Sequence, residues 1–373
     1  MSNLYNKYNP RNFQDVIGQD FPVKILKTIS KRANIPNGII LSGIHGIGKT
    51  LLARVFSKAI NCLEVNKPCD KCTNCEIINK GSEDIIEVDG ATYTGVDNIR
   101  KLLENSNYLP MSLKYKVYII DEVHMLSRSA FDALLMTLQE PPKYIKFLFA
   151  TTKPDKLPDT FLSRCISIHL TRVNNDNIFD LLKNILLKEG KKISDERVLN
   201  IICDVSEGSV RRAISLLELV LILGETQEIT YEEIFNYLKI LSTEECLNIF
   251  ESILNGETLE AIEKWRNLYN KGYDEKSFMH KMSEILTNLS LLKLNENNSI
   301  RNSIRNREIY EKILENYNIS LGLLTKFWEI LIRQTEAMYI GFAPLVENTL
   351  IMFSLTENDA ILTSDAKKIF SKL

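Results

Sequence analysis

Residues 38–60 read GIILSGIHGIGKTLLARVFSKAI, and this run decides the fold. An apolar strand pattern, Gly38 to Ser42, passes straight into GIHGIGKT at positions 43–50, which has the G-x-x-x-x-G-K-[ST] spacing. A helical pattern follows at once, so both contextual conditions for a phosphate-binding loop are met. Gly43, Gly46 and Gly48 permit backbone conformations and close approaches that side chains would block. The amides of Gly43, Ile44, His45, Gly46, Ile47 and Gly48 can then face phosphate oxygens at a helix N-terminus. Lys49 is expected to neutralise the β and γ phosphates, and Thr50 to offer its hydroxyl to Mg²⁺.

Further along, KVYIIDEVHML places Asp121 and Glu122 at the end of an apolar strand, where doubly wound sheets bind ligands. Asp121 is the candidate metal holder, and Glu122 can polarise an attacking water. Thr152 directly follows the strand pattern KFLFAT and is a candidate γ-phosphate or water contact. Arg164, in LPDTFLSRC, is a candidate to stabilise charge at a neighbouring subunit's γ-phosphate.

Short apolar runs at 38–42, 84–89, 116–120, 146–150 and 165–170 alternate with helical patterns, predicting one α/β domain with a parallel five-stranded sheet. Between the third and fourth runs, SRSAFDALLMTLQEPP predicts a helix opened by Ser127 or Ser129 and stopped before Pro141. From about Asn174 the strand signal gives way to helical spacing, as in Ile178, Leu181, Leu182, Ile185 and Leu186. A small helical unit is expected to about Lys239, and a second all-helical region after it. There Leu323, Leu324, Phe327, Trp328 and Leu331 form an apolar stripe, expected as core, behind a cap at Ser320. The polar run Asn295 to Ser303 predicts an exposed loop.

Composition narrows the class. The 373 residues are 45% hydrophobic and 25% charged with a formal net charge of -2, an ordinary globular balance that excludes general disorder. Bulk charge offers no global attraction to nucleic acid, so such binding needs a local basic face. No stretch has the roughly 18 uncharged apolar residues of a membrane span, and the start lacks a signal-peptide core; the expected location is the cytoplasm. Four of the seven cysteines, Cys62, Cys69, Cys72 and Cys75, crowd into CLEVNKPCDKCTNC. Their spacing suits a closed tetrahedral zinc site, while C-x2-C-x2-C is also an iron–sulfur ligand run. The polar residues between them speak against unliganded core thiols, whereas Cys165, Cys203 and Cys246 read as ordinary core.

Taken together, these residues resemble the γ/τ motor subunits of the bacterial DNA polymerase III clamp loader. YNPRNFQDVIGQD resembles the family's adenine-binding entry, GIHGIGKT its Walker A and DEVHMLS its Walker B. ATTKPDKLPDTFLSRC resembles sensor 1 plus the arginine finger, GSVRRAISLLE resembles sensor 2, and the cysteine insertion is shared. The resemblance implies an AAA+ domain at 1–172 with a zinc insertion at 62–75, a helical lid at 173–240 and an all-α oligomerisation collar at 241–373. It implies an ATPase with Mg²⁺ and structural Zn²⁺, part of the polymerase III holoenzyme without being the polymerising subunit. Its expected partners are δ and δ′ subunits, further γ/τ copies in a five-membered ring, the β sliding clamp and primed duplex DNA. Val16 and Ile17 would line the adenine pocket, Arg211 would reach the nucleotide from the lid, and Arg164 would act in trans. Arg100 and Lys101, at the start of a helix, would contact DNA phosphates.

Asn9 stands where the family often has arginine, and Met136 and Gln139 stand where lysine and glutamate are expected. The end of the chain soon after FAPLVENTLIMFSL is expected to make it γ-length, without a τ-type extension. Two other readings remain. A δ′-like stator would share the zinc insertion and the SRC motif without turning over ATP. A branch-migration helicase would lack the cysteine insertion.

Overall fold

A computed structural model describes residues 4–104, 106, 108–191, 193, 195–224, 231–294, 307–338 and 346–356. The chain divides into two compact units, residues 1–231 and 232–373.

The first unit is built on a parallel sheet of β1 (Gly38–Ser42), β2 (Ile85–Asp89), β3 (Lys116–Asp121), β4 (Ile145–Thr151) and β5 (Ile166–His169), in the order β2-β3-β4-β1-β5. The central strands β1, β3 and β4 are buried almost throughout, which is why they read as unbroken apolar runs rather than alternating ones. Register brings Ser42 beside Thr151 and Asp89 beside Asp121, so the C-terminal strand ends line one edge of the sheet. Tyr118, Phe147, Phe149 and Phe161 form an aromatic row beneath that edge, with successive centroids 5.3, 5.9 and 4.7 Å apart.

Helices cover both faces. α1 (Leu4–Lys7) and α2 (Asp20–Ser30) precede β1; α3 (Lys49–Asn61) follows it and leads through α4 (Thr73–Lys80) to β2. α5 (Val96–Glu104) lies before β3, and α6 (Arg128–Gln139) before β4. Ser127 caps α6 by accepting from the Ala130 amide, and Pro141 and Pro142 follow its end, as the sequence predicts. α5 starts at Val96, so Arg100 and Lys101 sit at its middle rather than at a helix start. Both are exposed, and Arg100 pairs with Asp97 at 3.7 Å. That placement corrects the expectation: the positive N-terminal end of the helix dipole is not at these residues.

α7 (Asp159–Leu162) precedes β5, and then α8 (Asn175–Glu189), α9 (Arg197–Ser206) and α10 (Val210–Leu223) complete the unit. Asn174 and Ser209 cap α8 and α10 with their side-chain oxygens. The three helices therefore pack in the same compact unit as the sheet, while α11 (Tyr231–Tyr237) falls almost wholly in the second.

The second unit is helical: α12 (Thr243–Leu254), α13 (Thr258–Asn270), α14 (Glu275–Leu294), then Arg307–Asn316, Leu321–Met338 and residues 346–356. A capping box of Ser242 and Glu245 opens α12. The core gathers Phe250, Trp265, Phe278, Phe327 and Phe353, and the stripe Leu323, Leu324, Phe327 and Leu331 is buried in it with Trp328 packed at its side. Ser320 Oγ accepts from the Leu323 amide, as expected of a cap. Asn295 to Ser303, and residues 342–345 of the last apolar segment, lie outside the described residues. No helix among the described residues is long and apolar enough to cross a membrane.

Candidate nucleotide site and metal centre

At the C-terminal edge of the sheet the loop after β1 meets the ends of β3 and β4. Lys49 is 5% exposed, and its ammonium donates to the carbonyls of Gly43 and Ile44, both at 3.0 Å. Burial pulls its pKa below the usual lysine value, and Glu122 and Asp121 oppose that. Thr50 Oγ donates to Asp121 Oδ2 at 2.6 Å, which places the hydroxyl and carboxylate for a shared hard cation side by side.

Glu122 occupies left-handed backbone space, φ 45°, an unusual setting for a non-glycine residue. Its Oε2 accepts from the Thr152 amide at 3.2 Å and the Thr152 hydroxyl at 3.0 Å, and His124 Nδ1 lies 3.2 Å away. Thr152 therefore stands beside Glu122, with its hydroxyl spent on the carboxylate. His124, invisible to motif reasoning, also meets Thr151 Oγ at 3.0 Å. Burial, and secondarily Lys153, Lys156 and Lys49, push its pKa below the ordinary imidazole value against the pull of Glu122.

The helices after β5 close the site from the other side. The Arg211 amide donates to the Gly46 carbonyl at 3.1 Å, and the Arg211 guanidinium lies 5.1 Å from the Tyr5 ring centre. Gly46 has φ 75°, and a Cβ there would run into Ser209 Oγ. The glycine thus serves the contact with α10 as well as the turn. Gly90 does similar service behind the acids, since its Cβ would press on the Asp121 and Glu122 carbonyls at 2.9 and 2.7 Å. No spacing rule singles it out.

Val16 and Ile17 line a pocket with Tyr8, Asn9, Gly48 and Arg211, so the expected adenine contacts and the lid arginine share one cavity. Asn9 Oδ1 is buried there without a hydrogen-bond partner. The N-terminal segment is tied across the helices: Tyr8 Oη donates to Glu189 at 2.5 Å, Lys7 pairs with Glu189 at 2.6 Å, and the Leu4 amide donates to Glu218. Arg164 does not join this pocket. It is exposed, and one of its terminal nitrogens donates to the Thr160 carbonyl at 2.7 Å. His45 is exposed 3.8 Å from Glu122 Oε1.

At the far end of α3 the four cysteines converge. Their sulfurs all lie within 4.8 Å of one another, with Cys62–Cys72 and Cys69–Cys75 both at 3.9 Å. A tetrahedron with metal–sulfur bonds of about 2.3 Å has edges of about 3.8 Å, so the four fit one ion. A cluster with each thiolate on its own iron needs them farther apart. Amides of Lys71 and Cys72 donate to Cys69 Sγ at 3.5 and 3.2 Å. Although burial opposes ionisation of Cys72, backbone hydrogen bonds at Leu63 and Cys75 and the neighbouring sulfurs hold its pKa down to about 6. Asp70 anchors the loop to α3 through Lys58 at 2.6 Å. Among the other cysteines Cys203 and Cys246 are buried and Cys165 half-buried, with burial pushing their pKa values to about 11, 12 and 12.

A family model described as DNA polymerase III, delta subunit, matches residues 18–174, and one described as DNA polymerase III subunits gamma and tau domain III matches 229–340. DNA polymerase III subunit gamma of Buchnera aphidicola subsp. Schizaphis graminum is 37% identical over 85% of this chain and 89% of its own length. The chain belongs to the DNA polymerase III gamma/tau family. The gamma/tau subunit of Mycoplasma genitalium is 32% identical over 99% of the chain and 64% of its own length. The tau subunit of Escherichia coli K12 is 40% identical over 69% and 41%. This gamma/tau chain thus spans most of the Buchnera gamma protein and less than two thirds of those two relatives. Among solved structures the Thermotoga maritima RuvB Holliday junction branch migration motor aligns with 66% of the chain and 79% of its own, at 18% identity and a TM-score of 0.49.

Proposed function

We propose that this gamma/tau chain is the ATP-hydrolysing motor subunit of a DNA polymerase III clamp loader, opening the sliding clamp and placing it on primed DNA. The observation that carries the reading is the meeting of Lys49, Thr50, Asp121 and Glu122 at one sheet edge, each polar group already engaged by a neighbour that a triphosphate can displace. Lys49 exchanges the Gly43 and Ile44 carbonyls for β and γ phosphate oxygens. Thr50 and Asp121 hold Mg²⁺, which neutralises phosphate charge. Glu122, once released by Thr152, orients and polarises the attacking water. Val16 and Ile17 pack on adenine, and Arg211 approaches from the helical lid. Arg164, exposed and outside its own pocket, stabilises the transition state of the adjacent subunit.

On this reading the regions 1–172, 173–240 and 241–373 act as ATPase domain, lid and collar, and Cys62, Cys69, Cys72 and Cys75 hold structural Zn²⁺. The subunit works in the bacterial cytoplasm within a five-membered ring containing δ, δ′ and further γ/τ copies, with the β clamp and primed duplex DNA as its cargo. Nucleotide affinity of the wild type and of Lys49→Ala separates a motor from a δ′-like stator. The motor reading expects Mg·ATP binding that the substitution weakens at least about a hundredfold, since a buried charge-assisted phosphate contact is lost. Equal affinity, or none in either protein, contradicts it.

A further inference from the structure

On the first unit two adjoining cavities of about 620 and 800 Å³ share Phe13, Gln14, Lys27 and Lys31; the first lies along α2 and reaches Val16 at the rim of the nucleotide pocket, and the second runs between α2 and the cysteine loop. Lys24 lines the first cavity and Lys67 and Lys71 the second, while Lys27 and Lys31 line both, so that these two face the loop lysines directly and Lys24 continues the row along α2. Among the described residues the only acids lining either cavity are Asp20 and Glu64. None of the five lysines makes a salt bridge among the described residues; Lys27 lies over the Phe13 ring at 5.8 Å. Compensation of the helix dipole accounts for Lys27 and Lys31 near the C-terminal end of α2, but not for Lys24 or for the two lysines across the groove.

We propose that this groove binds the phosphodiester backbone of a single nucleic-acid strand. Positions 24, 27 and 31 share one side of α2, within an arc of about 60° at 100° per residue. They are spaced about 4.5 and 6 Å along the axis at 1.5 Å per residue. Flexible ammonium groups at that spacing, facing two more across a groove, can follow successive phosphates without reading bases. Cavities of this size admit a few nucleotides of one strand and not a duplex. An acidic peptide is the less favoured occupant, because carboxylate recognition gains most from the bidentate fork of arginine, and no arginine lines either cavity. The loop wall is held by the cysteine cluster and by the Lys58–Asp70 pair, so the groove keeps its form. The inference does not depend on ATP turnover.

The test uses the full chain without nucleotide or clamp, titrated into fluorescein-labelled oligo-deoxythymidylate between about 50 and 200 mM NaCl, where single-strand affinity falls with a slope of about 0.7 per phosphate contact. The triple variant Lys24→Ala/Lys27→Ala/Lys31→Ala is expected to weaken binding at least tenfold and to flatten the slope by about 2, three contacts' worth. Lys67→Ala/Lys71→Ala, on the other wall, should act in the same direction, with circular dichroism and bound zinc unchanged. Lys24→Gln/Lys31→Gln, confined to exposed side chains, covers the case in which the triple variant misfolds. Unchanged affinity and slope for the oligonucleotide in folded variants overturns the proposal. So does loss of binding to labelled polyglutamate, or to a duplex, in place of the single strand.

Discussion

One helix, α3, joins two sites that treat their polar groups in opposite ways. At its N-terminal end every functional group has an interim partner: Lys49 the loop carbonyls, Thr50 the Asp121 carboxylate, Glu122 the amide and hydroxyl of Thr152. At its C-terminal end four sulfurs point at one another, a convergence that one cation satisfies. A site that must bind, react and release is built of exchangeable hydrogen bonds; a site that only holds a loop in shape has a single solution. Substitutions at the two ends should accordingly separate, one set changing turnover with little change in stability, the other changing stability.

The largest effect is expected at Glu122. Glu122→Gln should slow hydrolysis by about 10²- to 10⁴-fold, the usual contribution of a positioned base, while Mg·ATP affinity stays within a few-fold of wild type in equilibrium binding. A variant that loses affinity as much as rate would mean that the carboxylate binds rather than activates. Next, Cys72→Ser should release zinc, as measured by metal analysis, and lower the melting temperature by roughly 5–10 °C, at about 2–4 °C per kcal/mol for a unit of this size. ATP binding should survive. In the unmodified protein, thiol titration should find Cys165, Cys203 and Cys246 unreactive, since burial keeps them protonated, with further thiols reacting only after chelation.

A smaller effect concerns pH. With its pKa below the ordinary imidazole value, His124 is neutral at pH 7 and above, so ATPase activity should not vary there on its account. For this group the unfolded chain binds the proton more readily. Stability therefore rises with pH through the ordinary imidazole range and falls as acidification charges the buried ring. On that acid limb a protonated His124 pairs with Glu122 and activity drops; His124→Gln should remove the limb in a pH–rate profile. The smallest expected change is at Asn9. Asn9→Ala removes a buried acceptor without a partner, so thermal stability should hold or rise slightly, while preference for ATP over GTP narrows if that oxygen meets the adenine amino group.

Much of this was legible because phosphate chemistry dictates residue types at fixed spacing. Lys49, Thr50 and Asp121 needed no structure, and the five strands begin and end within one residue of the apolar runs. Cap residues Ser127 and Ser320 were readable for the same local reason. What the sequence hid is long-range: that Thr152 holds Glu122, that His124 joins them, and that Gly46 and Gly90 are glycines because a helix cap and the acid-bearing turn press against them. The lysine groove was equally hidden, since its walls come from segments that only folding brings together. Arg100 and Lys101 were misplaced because α5 begins with Val96 behind a polar turn that no strong cap announces.

The most direct test is ATPase activity of the chain reconstituted with δ, δ′ and the β clamp, with and without primed DNA, beside the same ring carrying Arg164→Ala. Turnover that rises with clamp and primed DNA in the wild type and collapses in the arginine variant, with Mg·ATP still bound, is the predicted result. Turnover indifferent to DNA, or unaffected by losing Arg164, contradicts the assignment of this chain as a motor whose sites are completed by neighbours.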